Sequence, residues 1–256
     1  MKTLPRLNIS YWLLMLMCTT MGELIGNLIS RNFELGYTQG AILDVVVFAM
    51  TIAIILAFKF RNEAFYWILI LMGNIGGTNL ADWVTLEPLP KDKTWGLLQP
   101  LELGTKMGSL AVMCALILVL VVRAIVTRKK ATSGYADQVL YWLAILLSST
   151  FGTTSGDLIT NDTPLGAFGG SLALIALLIV VYAGYRAKII SRMTGYWAAL
   201  VLMHPVGATI GNYVSKPIGL NLGNVYTNVA LILLFVIVYL ADGRVRSTVG
   251  ESTGEC

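Results

Sequence analysis

Residues 141–157 read YWLAILLSSTFGTTSGD, and the same frame returns at 11–27 (YWLLMLMCTTMGELIGN), 66–82 (YWILILMGNIGGTNLAD) and 196–212 (YWAALVLMHPVGATIGN). Each copy opens on a Tyr-Trp pair: Tyr11-Trp12, Tyr66-Trp67, Tyr141-Trp142 and Tyr196-Trp197. Ten residues beyond the Trp stands Gly22, Gly77, Gly152 or Gly207; fourteen beyond, Gly26, Ala81, Gly156 or Gly211; fifteen beyond, Asn27, Asp82, Asp157 or Asn212. A short loop then leads to a Leu-Gly pair opening a second apolar run, at Leu35-Gly36, Leu103-Gly104, Leu165-Gly166 and Leu222-Gly223. Agreement at several fixed offsets in four places identifies an internal repeat. The second copy carries a longer loop, with Pro88, Pro90, Trp95 and Pro100.

Composition says where such a repeat can live. The chain of 256 residues is 56% hydrophobic and 12% charged, with a mean hydropathy of +0.74. Soluble domains carry about 25% charged residues, so too little charge is present to cover a water-facing surface. Apolar runs fall at 8–29, 36–58, 64–85, 100–123, 138–159, 165–186, 195–214 and 219–241. Each is about 20 residues, enough to cross a hydrocarbon core as a helix and too long for a membrane strand. The expected fold is all-α: a polytopic membrane bundle of eight transmembrane helices. An even number of spans per copy makes the units four parallel-repeat helical hairpins, with pseudo-symmetry along the membrane normal. The repeats cover about 8–60, 63–126, 138–188 and 192–241 of a single transmembrane domain, 1–241, and 242–256 read as a short disordered cytoplasmic tail.

The net charge of +4 reports topology and no nucleic-acid partner. Lys2, Arg6, Lys59, Arg61, Arg123, Arg128, Lys129, Lys130, Arg186, Lys188, Arg192, Arg244 and Arg246 fall at one set of span ends; Arg31, Lys91, Lys93 and Lys216 fall at the other. The positive-inside rule then places both termini in the cytoplasm. Tyr-Trp, at the start of each first helix, suits the aromatic belt at that face. The first run is not read as a cleaved signal, because it repeats three later segments. Cys18, Cys114 and Cys256 show no CxxC or Cys/His spacing, which argues against a thiolate metal site or a disulfide framework.

The Tyr-Trp pairs and the Gly-x-x-x-Gly/Ala-Asp/Asn cores, from about Ile9 to Ala241, resemble the bacterial membrane proteins built from four tandem two-helix repeats with a characteristic tryptophan, a family catalogued as repeat of unknown function 347. The resemblance implies architecture and a bacterial inner-membrane location, and it implies no activity. The family pattern favours Asp after the small residue; Asn27 and Asn212 depart from it, so a ring of four acids is not implied.

On a helical wheel, offsets 7, 10, 11, 14 and 15 from the Trp form one stripe about 140° wide. Gly22, Gly26, Gly77, Ala81, Gly152, Gly156, Gly207 and Gly211 supply small-x-x-x-small packing seams, and neighbouring hydroxyls can bond across them. Packing accounts less well for ionisable groups, since a mid-membrane charge costs about 3 kcal/mol on insertion scales. Glu23, Asp82, Asp157 and His204, with Asn27 and Asn212 on the same stripe and Asp44 expected near the depth of Glu23, therefore form the candidate cation set. Oxygen donors of this kind suit hard divalent ions, and a metal such as manganese is the first expectation, as substrate and not as resident cofactor. Carboxyls can also release protons as a cation enters. Lys106 is expected as a counter-charge for one of the acids or for Glu102, and Pro205 as a kink in the seventh helix. Met15, Met17 and Met21 read as packing rather than a copper ladder. No HExxH, GxSxG or Cys/His pair is present, so no enzyme is expected. The reading is a transporter or channel for a small cation, whose partners are the bilayer and that cation, with a homo-oligomer left open. The alternatives are a non-transporting membrane scaffold or sensor and, third, an intramembrane enzyme.

Overall fold

The computed structural model describes residues 7–33, 35–58, 63–88, 99–129 and 134–252. Lys2, Arg6, Lys59, Arg61, Pro90, Lys91, Lys93, Trp95, Lys130 and Cys256, named above, lie outside the described residues. The described residues form eight α-helices and no strand: α1 (Ile9–Asn27), α2 (Tyr37–Phe58), α3 (Glu63–Thr85), α4 (Gly104–Lys129), α5 (Tyr135–Asp162), α6 (Gly166–Arg186), α7 (Arg192–Ser215) and α8 (Asn224–Ser252). A five-residue π-helical turn, Leu28–Asn32, extends α1. Where a disordered tail was expected from 242, α8 continues to Ser252, with no proline to stop it.

Among the described residues six helices are long and apolar enough to cross a membrane: α1 with its extension, α2, α3, α4, α6 and α8. α5 and α7, expected as spans, fall short of that composition. Their interior explains it: α5 buries Ser148, Ser149, Thr150, Thr153, Thr154 and Ser155, and α7 buries His204, Thr209 and Asn212. A helix enclosed by other helices can trade apolar residues for hydroxyls bonded to neighbouring carbonyls. α7 runs through Pro205 as one helix.

The four first helices close a ring, α1 on α3, α3 on α5, α5 on α7 and α7 on α1. Glycine makes the approach possible. A methyl group added at Gly22 would overlap Asn74, at Gly77 it would overlap Ser149, at Gly152 His204, and at Gly207 Thr19. The offset-10 glycine of every unit thus faces the offset-7 side chain of the next, and the last unit returns to the first. The offset-14 positions follow suit: a methyl at Gly26 would lie 2.8 Å from Thr78, at Gly156 2.9 Å from Ala208, and at Gly211 3.5 Å from Glu23.

The second helices surround this ring, each lying mainly on the first helix of the following unit: α2 on α3, α4 on α5, α6 on α7 and α8 on α1. The hairpins expected from the sequence are therefore splayed, and each unit clasps its neighbour. The Leu-Gly pair turns the chain into that position. Gly36, Gly104, Gly166 and Gly223 all have positive φ, from 62° to 85°, which a side chain would strain. Outward faces such as Val46 and Met50, Leu118 and Val121, Ile179 and Val180, and Leu233 and Ile237 stay exposed and apolar, as a lipid-facing surface requires.

The tyrosine–tryptophan pairs do not form an aromatic belt. Tyr11, Tyr66, Tyr141, Trp67 and Trp142 are buried. Each Trp instead leans on the Tyr of the preceding unit: Trp67 on Tyr11 (5.5 Å between centroids), Trp142 on Tyr66 (5.9 Å), Trp197 on Tyr141 (5.6 Å) and Trp12 on Tyr196 (6.2 Å).

A candidate site on the axis of the helix ring

Residues four apart on a helix drift by only about 40°, so one residue per turn follows the ring axis. In α1 these are Tyr11, Met15, Thr19, Glu23 and Asn27; in α3, Tyr66, Ile70, Asn74, Thr78 and Asp82; in α5, Tyr141, Ile145, Ser149, Thr153 and Asp157; in α7, Tyr196, Leu200, His204, Ala208 and Asn212. All are buried except Tyr196, which is half-buried. They stack as five layers over about 24 Å at 1.5 Å per residue.

The first layer is a closed ring of phenols. Tyr11 and Tyr66 hydroxyls lie 2.7 Å apart, Tyr66 and Tyr141 3.4 Å, Tyr141 and Tyr196 2.8 Å, and Tyr196 and Tyr11 3.2 Å. Met15, Ile70, Ile145 and Leu200 form an apolar layer above it, each 0% exposed. Together these two layers close one end of the axis.

In the third layer most polar groups turn back onto helix carbonyls. Thr19 donates to the Leu16 carbonyl, Asn74 to that of Ile70, and Ser149 to that of Asn74. Packing explains these hydroxyls and amides. His204 places Nδ1 2.8 Å from the Leu200 carbonyl, while its buried Nε2 has no partner.

Glu23 dominates the fourth layer. Thr153 donates to its Oε2 at 2.8 Å, Thr78 at 3.3 Å, and Asn27 Nδ2 donates to Oε1 at 3.0 Å. α1 and α5 stand opposite in the ring, so a side chain bonded from α3 and α5 and lying beside Gly211 of α7 sits at its centre. Among the described residues no Lys or Arg lies within ion-pair distance of Glu23.

The fifth layer holds the other two acids. Asn212 Nδ2 donates to Asp157 Oδ1 at 3.1 Å. Asp82 Oδ2 accepts from Arg31 at 2.9 Å, a buried carboxylate paired to a partly exposed guanidinium. Asn27 Oδ1 and Asn212 Oδ1 are buried without a donor.

Of the candidate set, Glu23, Asp82, Asp157, His204, Asn27 and Asn212 therefore lie in the axial layers. Asp44 does not; it accepts from Asn79 between α2 and α3, outside the ring. Lys106 is exposed on α4, and among the described residues no ion pair joins it to Glu102 or to the axial acids. The counter-charge is Arg31, which the sequence reading counted only as an outer loop charge. Its signal was its spacing, four residues beyond Asn27 on the same face. Among the described residues no three of His, Cys, Asp and Glu converge where they could hold a metal ion.

Ring, lipid-suited outer helices and buried ionisable axis define a helical protein of membrane type. Residues 10–64 and 140–189 match the family model described as Repeat of Unknown Function (DUF347), so the chain carries that repeat in its first and third units. No curated protein and no solved structure matches the chain.

Proposed function

We propose that the chain is an eight-span transporter or channel for a small cation, with fourfold pseudo-symmetry along the membrane normal and a path on the ring axis. α5 and α7 count as spans because they take the same places in the ring as α1 and α3. By the charge distribution both termini face the cytoplasm, which puts the tyrosine ring at the inner end, and the family resemblance suggests a bacterial inner membrane.

The observation that supports this is Glu23: a carboxyl at the centre of a membrane-type ring, held by hydroxyls and an amide, with no Lys or Arg among the described residues within ion-pair distance. An ionisable group there is costly to place and is kept where it does work. Its exchange of a proton for a passing cation is the simplest such work. That no three of His, Cys, Asp and Glu converge among the described residues favours a cation handed on by single carboxyls over a metal gripped by several at once, which demotes manganese from first expectation to one probe among several. A non-transporting scaffold or sensor is the second reading, favoured by the hydroxyls that satisfy their own helix carbonyls and by the Arg31–Asp82 pair. No enzymatic role is proposed.

Purified protein in proteoliposomes, given gradients of potassium, magnesium or manganese with a pH-sensitive dye inside, separates these readings. Protein-dependent ion uptake or proton movement with at least one cation is expected. Liposomes that stay silent to all three and to an imposed pH gradient would favour the scaffold.

A further inference from the structure

The cyclic order of the fold exposes one missing contact. In three units a side chain from a second helix covers the repeat tryptophan. Phe235 of α8 stands edge-on to Trp67 at 5.8 Å, Phe48 of α2 edge-on to Trp142 at 6.5 Å, and the Arg123 guanidinium of α4 lies 5.3 Å over Trp197. By the same order α6 should cover Trp12. Phe48 stands twelve residues after Gly36 and Phe235 twelve after Gly223; twelve after Gly166 comes Leu178. Leu116 holds that place in the second unit, where Arg123 covers the tryptophan; among the described residues no ring or guanidinium of α6 does so for Trp12, which like Trp197 stays half-buried while Trp67 and Trp142 are buried. What remains is a groove of about 320 Å³ between α1, α6 and α7, lined by Trp12, Leu178, Val181, Tyr182, Arg192 and Tyr196 among others.

We infer that this groove binds an anionic phospholipid from the surrounding leaflet, with acyl chain against Leu178, Val181 and Trp12 and phosphate at Arg192. The volume is about ten times that of a liquid water, enough for a segment of acyl chain, and the lining is mostly apolar with Arg192 and three tyrosines among it. Arg192 lines the groove, and Arg186 and Lys188 precede it on the α6–α7 turn, with no acid between 186 and 192. Tyrosines at such a mouth suit the headgroup zone. Leu7 also lines the groove. The inference stands independently of what the axis carries.

Native mass spectrometry of the delipidated full chain, titrated with phosphatidylglycerol or phosphatidylcholine of identical acyl chains, tests it. Wild type should retain one phosphatidylglycerol about fivefold more tightly than phosphatidylcholine, the preference one basic residue gives near a headgroup. Arg192→Gln should erase the preference and keep a weaker lipid adduct. Leu178→Phe, which supplies the ring found at the equivalent place in two other units, should lose both lipids while its melting temperature holds or rises. Unchanged retention in Leu178→Phe overturns the site, and equal retention of the two lipids by wild type overturns the headgroup assignment. A two-chain species in wild type that Leu178→Phe dissolves would assign the groove to a second copy and overturn the lipid.

Discussion

Thr153 Oγ1 donates to Glu23 Oε2 at 2.8 Å across the centre of the ring, joining helices that are not ring neighbours. The bond fixes an acidic side chain on the axis by a donor that carries no charge. Thr153→Val keeps shape and removes the donor, leaving the carboxyl to Thr78 and Asn27. A hydrogen bond is worth about 0.5–1.5 kcal/mol to a neutral group and more to a charged one, so the variant should melt lower in detergent. With Thr78→Val added, the loss should exceed the sum of the singles, because the two hydroxyls share one oxygen. Strict additivity would mean that the hydroxyls do not act on a common group.

The glycine seams set a second expectation. Gly152→Leu and Gly207→Leu place side chains against His204 and Thr19, whereas Gly243 meets nothing within 4 Å. Overpacking costs about 1–3 kcal/mol, or roughly 2–12 °C of melting temperature for a chain of this size. Gly243→Leu should melt with wild type. Equal melting of all three variants would remove the seam from the account.

Arg31 and Asp82 form a pair in which only the acid is fully buried. Arg31→Gln leaves that acid uncompensated, a change that costs about 3–5 kcal/mol when a buried pair is broken. Arg31→Gln with Asp82→Asn removes both charges and should recover most of the loss. Thermal melts of the two singles and the double decide it; a double as unstable as Arg31→Gln alone would show that the pair is not coupled.

Much of this was legible in the sequence because the repeat is written at fixed offsets. Gly22, Gly77, Gly152 and Gly207 were read as seams, and the polar offsets 7, 11 and 15 were read as one face. Four-residue spacing is the same on paper and in the ring. What stayed hidden depends on which helix lies beside which. Counting residues along its helix puts Asp44 near the depth of Glu23, but that count does not say whether a side chain faces the axis, and α2 presents it to Asn79 instead. Arg31 looked like a loop charge because the π-helical turn that extends α1 to Asn32 has no sequence signature as clear as a cap. The tyrosines read as belt anchors because a Tyr-Trp pair at a span end satisfies that pattern; only closure of the ring turns four such pairs inward. α5 and α7 read as spans by length, and their hydroxyl content makes sense only once helices surround them.

The most direct measurement compares cation-driven proton movement in proteoliposomes holding wild type, Glu23→Gln or Asp44→Asn at equal density. Glutamine keeps the size of Glu23 and its bonds to Thr153 and Thr78 but cannot exchange a proton. Asp44 is also a buried carboxyl, yet lies outside the ring. The account predicts that Glu23→Gln, folded and melting near wild type, loses at least about tenfold of the flux, while Asp44→Asn keeps it. A folded Glu23→Gln that moves every tested cation and proton at the wild-type rate would contradict an axial path through Glu23.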